Sequence, residues 1–317
     1  MQPIEIITKF FLALASTVLL FISGALLPPA GVVLIPLVPQ PVLSFGVRYG
    51  IGWGAGVLVA ALVLLLIFAG QEMALLYAIF ALMTGLLFAL LNRPRSIEFL
   101  VAGIAASLFA VAGGLLRYFY GSWTAMIEDF RAGLNENLAA AMRVHERMGF
   151  PQDSLDLLKE RTPQIVDTML QLLPSLVFIS LGLMVLVNIM LLCRRFPDRR
   201  AQWLSDADLR EWKGPEPMVW VLIAAGFTLF IPGLEFSRVL ATNVLLVIAA
   251  CYFAQGLAVI AYYFHKNNVP RFLRGVTYVL IVFQQFFTLL VVGLGLFDLW
   301  GDFRRLSKNN LNPSRAS

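Results

Sequence analysis

The residues with most chemistry to offer stand near the carboxyl end, where Gly295-Leu-Phe-Asp298-Leu-Trp300-Gly-Asp302-Phe-Arg304-Arg305 crowds carboxylates, guanidinium groups and aromatic rings together. Asp298 and Asp302 are four apart and share a face if a helix reaches that far. Leu294, one turn earlier on that face, offers neither carboxylate a partner, so the simplest chemistry is a salt bridge with the arginines that follow. Trp300 suits an anchor at a membrane interface. Long apolar blocks elsewhere hold uncharged amides: Asn188, Asn243, Gln255, Gln284 and Gln285. Such amides either bond one helix to another or line a ligand cavity. Counted inward from the two ends of the 265–274 loop at about 1.5 Å per residue, Gln255 falls level with Gln284 near mid-membrane and Asn243 level with Asp298 near the outer face. Contacts of Gln255 with Gln284 or Gln285 and of Asn243 with Asp298 are therefore expected. The candidate polar positions are thus Asn243, Gln255, Gln284, Gln285, Asp298, Asp302 and Arg304.

Other chemistry is thinly represented. His145 and His265 are the only histidines and fall in different loops, which argues against a zinc site. No phosphate-binding loop, dinucleotide fingerprint or nucleophile elbow occurs. Glu72, Glu98, Arg117, Glu235, Arg238 and Asp298 all lie near the ends of apolar blocks, unlike the buried carboxylates of a proton-coupled pump. The reading is of a chain with no catalytic, cofactor-binding or metal residues, no cofactor, and no enzyme activity. Cys193 and Cys251 fall at a span end and inside a span, which does not make a disulfide framework.

The elements that must position these residues are membrane spans. Hydrophobic residues make up 59% of the 317 and charged ones 14%, against roughly a quarter charged in soluble chains. The apolar residues come in charge-free blocks near the ~20 residues that a bilayer crossing needs. Spans are expected at 7–27, 51–69, 73–92, 97–118, 162–192, 218–233, 239–264 and 275–297. Pro28 to Ser44 carries five prolines and is either a kinked second span or a re-entrant segment. Gly46, Gly50 and Gly54, four apart, suggest a close-packing helix face. The expected fold is all-α: a polytopic transmembrane helical bundle of eight or nine spans. An amphipathic helical insertion, 119–165, lies between spans 5 and 6. Its stripe of Met126, Phe130, Leu134, Leu138 and Met142 recurs every four positions. Gly149 and Pro151 are expected to end that helix, Asp153 or Ser154 to cap a short second one, and Thr162-Pro163 to start span 6. Pro174 is expected to kink that span.

The net charge of +5 is better explained by basic loops on the cytoplasmic side than by nucleic acid. Those loops, 93–95, 194–213 and 266–274, put the 119–165 insertion outside. Nine crossings would leave the carboxyl terminus outside too, against its own Arg304, Arg305, Lys308 and Arg315. The chain divides into 1–193, a six-span unit with the insertion, and 194–317, a basic loop with three spans and a basic tail.

Leu209-Arg-Glu-Trp212-Lys-Gly-Pro215-Glu-Pro, then Asn243, then Tyr252-Phe-Ala-Gln255-Gly256, then Gly295-Leu-Phe-Asp298-Leu-Trp300-Gly-Asp302 resemble, in that order, the YybS-like family of bacterial multi-pass membrane proteins. That family brings no activity to carry over. The first six spans are similar in layout to substrate-binding subunits of energy-coupling-factor vitamin transporters. They depart from the alanines spaced by four that dock such subunits, since Ala13 is followed by Thr17 and Ala15 by Leu19. The expectation is a protein of the bacterial cytoplasmic membrane, in contact with the lipid bilayer and with other membrane subunits. It would act as a small-molecule transporter-like or substrate-binding subunit for an unidentified ligand. The alternative is a non-transporting scaffold for envelope or cell-shape assembly.

Overall fold

A computed structural model describes residues 3–91, 94–149, 152–205, 209–233 and 235–304. Among these the regular elements are all helices, with one isolated bridge between Arg95 and Leu204. Helix is what an apolar chain must form in a bilayer, because hydrocarbon offers no partner to a backbone N–H or C=O. Seven helices are long and apolar enough to cross: Ile4–Leu26, Pro29–Tyr49, Ile51–Phe68, Gln71–Leu90, Ile97–Tyr120, Asp156–Arg195 and Glu235–Lys266. An eighth crossing would need the bent pair Arg271–Phe283 and Gln285–Gly301 to count as one span. The helices pack as two compact units, Met1–Gly114 with Ser180–Ala207, and Leu115–Ile179 with Asp208–Ser317.

The first unit holds α1 (Pro3–Leu26), α2 (Pro28–Leu34), α3 (Gln40–Tyr49), α4 (Ile51–Phe68), α5 (Gln71–Leu90) and most of α6 (Ile97–Tyr120). Its core includes Val38, Leu43, Val57, Met83, Leu87, Leu100, Ile104 and Ile189. The proline-rich stretch is a kinked second span: α2 and α3 are joined through a tight turn of 3-10 helix at Ile35–Leu37. The carbonyls stranded by that kink find side chains. Thr17 Oγ1 donates to the Val38 carbonyl at 2.7 Å. Fully buried Asn188 donates to the Pro36 carbonyl at 2.9 Å, and its Oδ1 accepts from Gln40 Nε2 at 2.8 Å. The glycine face is corrected in part. A Cβ on Gly54 would sit 3.0 Å from Gly46 Cα and from the Phe88 ring. A Cβ on Gly50 would meet nothing; this glycine joins α3 to α4 at φ +114°, a conformation costly for any other residue.

In the second unit, Ser122 caps α7 (Trp123–Arg147) by accepting from the Ala125 N–H at 3.0 Å. The predicted stripe from Met126 to Met142 is its half-buried side. Gly149 follows at φ +78°, and Pro151 lies outside the described residues. The expected short second helix is instead the start of α8 (Gln152–Arg195), which continues past Pro163 and Pro174. Thr162 does not cap a new helix: its hydroxyl bonds back to the Leu158 carbonyl at 2.9 Å. Lys159–Glu146, at 3.2 Å, and Arg131–Asp167 tie the α7–α8 hairpin together.

Two expected spans are corrected. The segment 218–233 is helical only over α10 (Met218–Thr228), whose 11 residues rise about 16 Å, half a hydrocarbon core. The segment 275–297 is no single rod. α12 (Arg271–Phe283) and α13 (Gln285–Gly301) meet at 102° across Gln284. Both ends of this pair return to the last turns of α11 (Glu235–Lys266). Arg274 donates to the carbonyls of Phe264 and Val269, while Tyr263 Oη donates to the Phe303 carbonyl at 2.8 Å. The pair therefore goes out and comes back. That puts Arg304 on the side of the 209–214 and 266–274 loops. The 214–229 stretch, bonded to α11 at Gln255 through Gly214 and at Arg238 through Leu229, still runs the length of that helix. The seven long spans and this shorter crossing make an even number and remove the conflict between nine crossings and a basic tail. Arg93, Arg305, Lys308 and Arg315 lie outside the described residues. A fluorescent protein fused after Ser317 should fluoresce and an alkaline phosphatase fused there should be inactive; the reverse pattern would mean that the pair crosses.

Candidate functional site

Where α11 and α13 meet, a glycine on each helix removes the side chain that would hold them apart. A Cβ on Gly256 would collide with the Val291 carbonyl, and one on Gly295 with the Tyr252 carbonyl. Backbone-to-backbone approach of this kind is what small residues permit between membrane helices. It brings Gln255, one residue before Gly256, to Asp298, three after Gly295. Both side chains are fully buried.

Around Asp298 the polar groups close on one another. Gln255 Nε2 donates to Asp298 Oδ2 at 3.2 Å, and Gln255 Oε1 accepts from the Gly214 N–H at 3.0 Å. α13 ends at Asp302, in the left-handed region at φ 38°. That turn throws Phe303 and Arg304 back over the helix. The Phe303 N–H donates to Asp298 Oδ1 at 3.2 Å, and Arg304 Nη2 to Oδ2 at 2.6 Å. The same guanidinium gives Nη1 to the carbonyls of Arg210, at 2.7 Å, and Trp212, at 3.0 Å. Lys213 Nζ and Asp302 Oδ1 form a half-buried pair at 2.8 Å beside it. The Asp298–Arg304 pair has no solvent exposure on either side chain. Burying two charges costs several kcal/mol each, offset only when further hydrogen bonds satisfy them. The Gln255 amide and three backbone groups supply most of these here, and Arg304 Nε alone of the pair's polar atoms is left buried without a partner among the described residues. The arrangement is a clasp: one carboxylate and one guanidinium hold α11, α13 and the 209–214 loop together. A cavity of about 310 Å³, walled by Val259, Ile260, Tyr263, Phe264, Leu294 and Phe303, lies beside it. Among the described residues no three His, Cys, Asp or Glu side chains cluster as metal ligands would.

The structure thus gathers Gln255, Asp298, Asp302 and Arg304, with the expected salt bridge made by Arg304. The other four-residue neighbour, Asp302, turns instead to Lys213. The expected partnership of Gln255 with Gln284 or Gln285 is corrected: the break at Gln284 carries both glutamines to an exposed bend. Asn243 is not near Asp298 either. Pro174 has no N–H and crowds the α8 backbone one turn earlier, and Asn243 fills the gap. Its Oδ1 accepts from the Ser175 N–H at 2.9 Å and its Nδ2 donates to the Gln171 carbonyl at 2.7 Å. In an unbroken helix those two backbone groups would bond each other. Sequence reasoning missed Gly256, Gly295 and Lys213 as site-forming, although all three stand inside the quoted motifs. The carbonyls of Arg210 and Trp212 left no sequence signal.

Two outcomes follow. Asn243→Leu should lower the thermal midpoint in detergent by an amount equivalent to roughly 1–2 kcal/mol, and Pro174→Ala in the same chain should restore it by letting α8 close its own bonds. Arg304→Met, which strands a buried carboxylate, should cost about 3–5 kcal/mol, whereas adding Asp298→Leu should recover most of that loss. Loss of the same size in single and double variants would show that the pairs are not the connection.

No curated protein and no solved structure matches this chain. A family model does, over residues 15–299, a stretch that takes in Asn243, Gln255, Gln284, Gln285 and Asp298 and stops short of Asp302 and Arg304. With so much of its length matched, the chain belongs to the family described as Predicted membrane protein (DUF2232).

Proposed function

We propose that this multi-pass membrane protein is a non-catalytic subunit that organises other proteins at the bilayer rather than passing solute through its own spans. The observation that supports this reading is the fate of the buried or half-buried polar side chains. Thr17, Asn188, Asn243, Gln255 and Asp298 are each spent on a backbone group or a buried charge, while the buried hydroxyls of Ser44 and Tyr252 are without a partner among the described residues. A solute path needs polar groups turned toward an opening; the five bonded side chains are turned toward their own chain. The exposed bend at Gln284 and Gln285, flanked by exposed Phe283, Phe286 and Phe287, offers amides and rings to a neighbouring subunit.

A transporter-like substrate-binding subunit is the second reading. It draws on the similarity in layout of the first six spans to the vitamin-transporter subunits. The half-buried apolar stripe of the α7–α8 hairpin favours it, since such a hairpin suits a lid. The bacterial cytoplasmic membrane is the location both readings fit. Excising the protein from native membranes in polymer discs, without detergent, distinguishes them. The scaffold reading expects a membrane protein partner at fixed stoichiometry and no thermal shift with vitamins or other small solutes. A chain isolated alone, whose midpoint rises with one such solute, would favour the transporter reading instead.

A further inference from the structure

Three segments of the first unit end at one membrane edge, and each brings a basic side chain. Arg199 Nη1 donates to the Val47 carbonyl at 2.8 Å, which sets it beside Arg48 and Tyr49 at the end of α3. The Arg95 N–H donates to the Trp203 carbonyl at 3.1 Å, and the Arg95 carbonyl accepts from the Ser205 N–H at 3.0 Å. That bridge sets the start of α6 against α9 (Arg200–Trp203), so Arg95 is bonded to a residue one helical turn along the chain from Arg200. Trp203 and Leu204 are buried beneath them.

These cations are poorly compensated. None of Arg48, Arg95, Arg199 and Arg200 has an ion-pair partner among the described residues. The acids close to them in sequence are Glu98, Asp198, Asp206 and Asp208, the last two outside the described residues. Three donors are buried with nothing to bond: Nε of Arg95, Nε of Arg200 and the Tyr49 hydroxyl. Leaving a buried donor unmade costs more than an ordinary hydrogen bond gains, so such a group asks for an acceptor from outside the chain. The edge is lined with rings suited to the headgroup level: Arg95 lies 4.9 Å over Phe99, and Arg48 lies 5.8 Å from the Tyr49 ring centre.

We propose that this edge is a binding site for the phosphate of an anionic phospholipid, with the guanidinium groups of Arg95 and Arg200 as its main donors and Tyr49, Arg48 and Arg199 around them. Basic pockets between membrane helices on the side of the basic loops recognise lipid headgroups in this way. A guanidinium matches phosphate oxygens in pairs, and the acyl chains of such a lipid would run along the exposed apolar sides of the spans. The site belongs to the first unit and does not depend on the scaffold reading.

The test uses the purified full chain in a nonionic detergent, following its thermal midpoint against added phosphatidylglycerol, phosphatidylcholine or inorganic phosphate. Phosphatidylglycerol should raise the midpoint at concentrations where the other two do not. The doubly neutral Arg95→Gln/Arg200→Gln chain should need about tenfold more lipid for each guanidinium removed. Arg271→Gln, which removes an exposed cation of the other unit, should respond like the unaltered chain. If the double variant does not fold, the exposed Arg48→Gln serves, with a smaller shift of the same sign. An equal response to phosphatidylcholine, an equal response to inorganic phosphate, or the same lipid requirement in the arginine variants and in Arg271→Gln would overturn the proposal.

Discussion

A helix broken within a bilayer leaves an N–H and a C=O facing hydrocarbon, and each must be answered by a side chain, by backbone retightened into a 3-10 turn, or by trapped water. This constraint decides where the chain puts its few buried polar groups. Asn188 and Thr17 answer the kink in the second span. Asn243 answers Pro174. At the bend between α12 and α13, Thr288 Oγ1 donates to the Ile281 carbonyl at 2.6 Å. The breaks and the polar residues are therefore one design read from two sides: remove either member and the other becomes a liability.

The Asp298–Arg304 clasp extends the same logic from single bonds to whole segments. Three pieces far apart in sequence, the 209–214 loop, Gln255 on α11 and the 298–304 turn, share one set of hydrogen bonds. A buried ion pair adds little net stability over an apolar substitute, but it penalises every arrangement that separates its members. It is well suited to fixing where the chain end returns. The glycines at 256 and 295 make it possible by letting the helices approach until an amide can reach a carboxylate.

Much of this was legible beforehand. Long charge-free blocks announce spans because the bilayer sets their length, and the α7 stripe announces itself through its period of four. The polar candidates at 255, 298, 302 and 304 were recognisable because polar atoms at membrane edges are costly and so seldom idle. Their partners were less legible. Counting residues inward from both ends of the 265–274 loop pairs Gln255 with Gln284 only if both helices are straight. The break at Gln284 carries no proline or glycine to announce it. The 11-residue length of α10 was hidden for a similar reason: Leu229 to Ile231 are as apolar as the helix before them, and composition does not record where the backbone turns.

The arrangement of the last three helices depends most on the return of the chain end to the 209–214 loop. Cysteines placed at Lys213 and Asp302, in a chain lacking Cys193 and Cys251, can be probed in native membranes with a short bifunctional thiol reagent. Intramolecular cross-linking between 213 and 302, and none between cysteines at 255 and 284, is the result expected. Cross-linking at 255–284 with none at 213–302 would mean that the last two helices form a straight span and that the clasp does not exist.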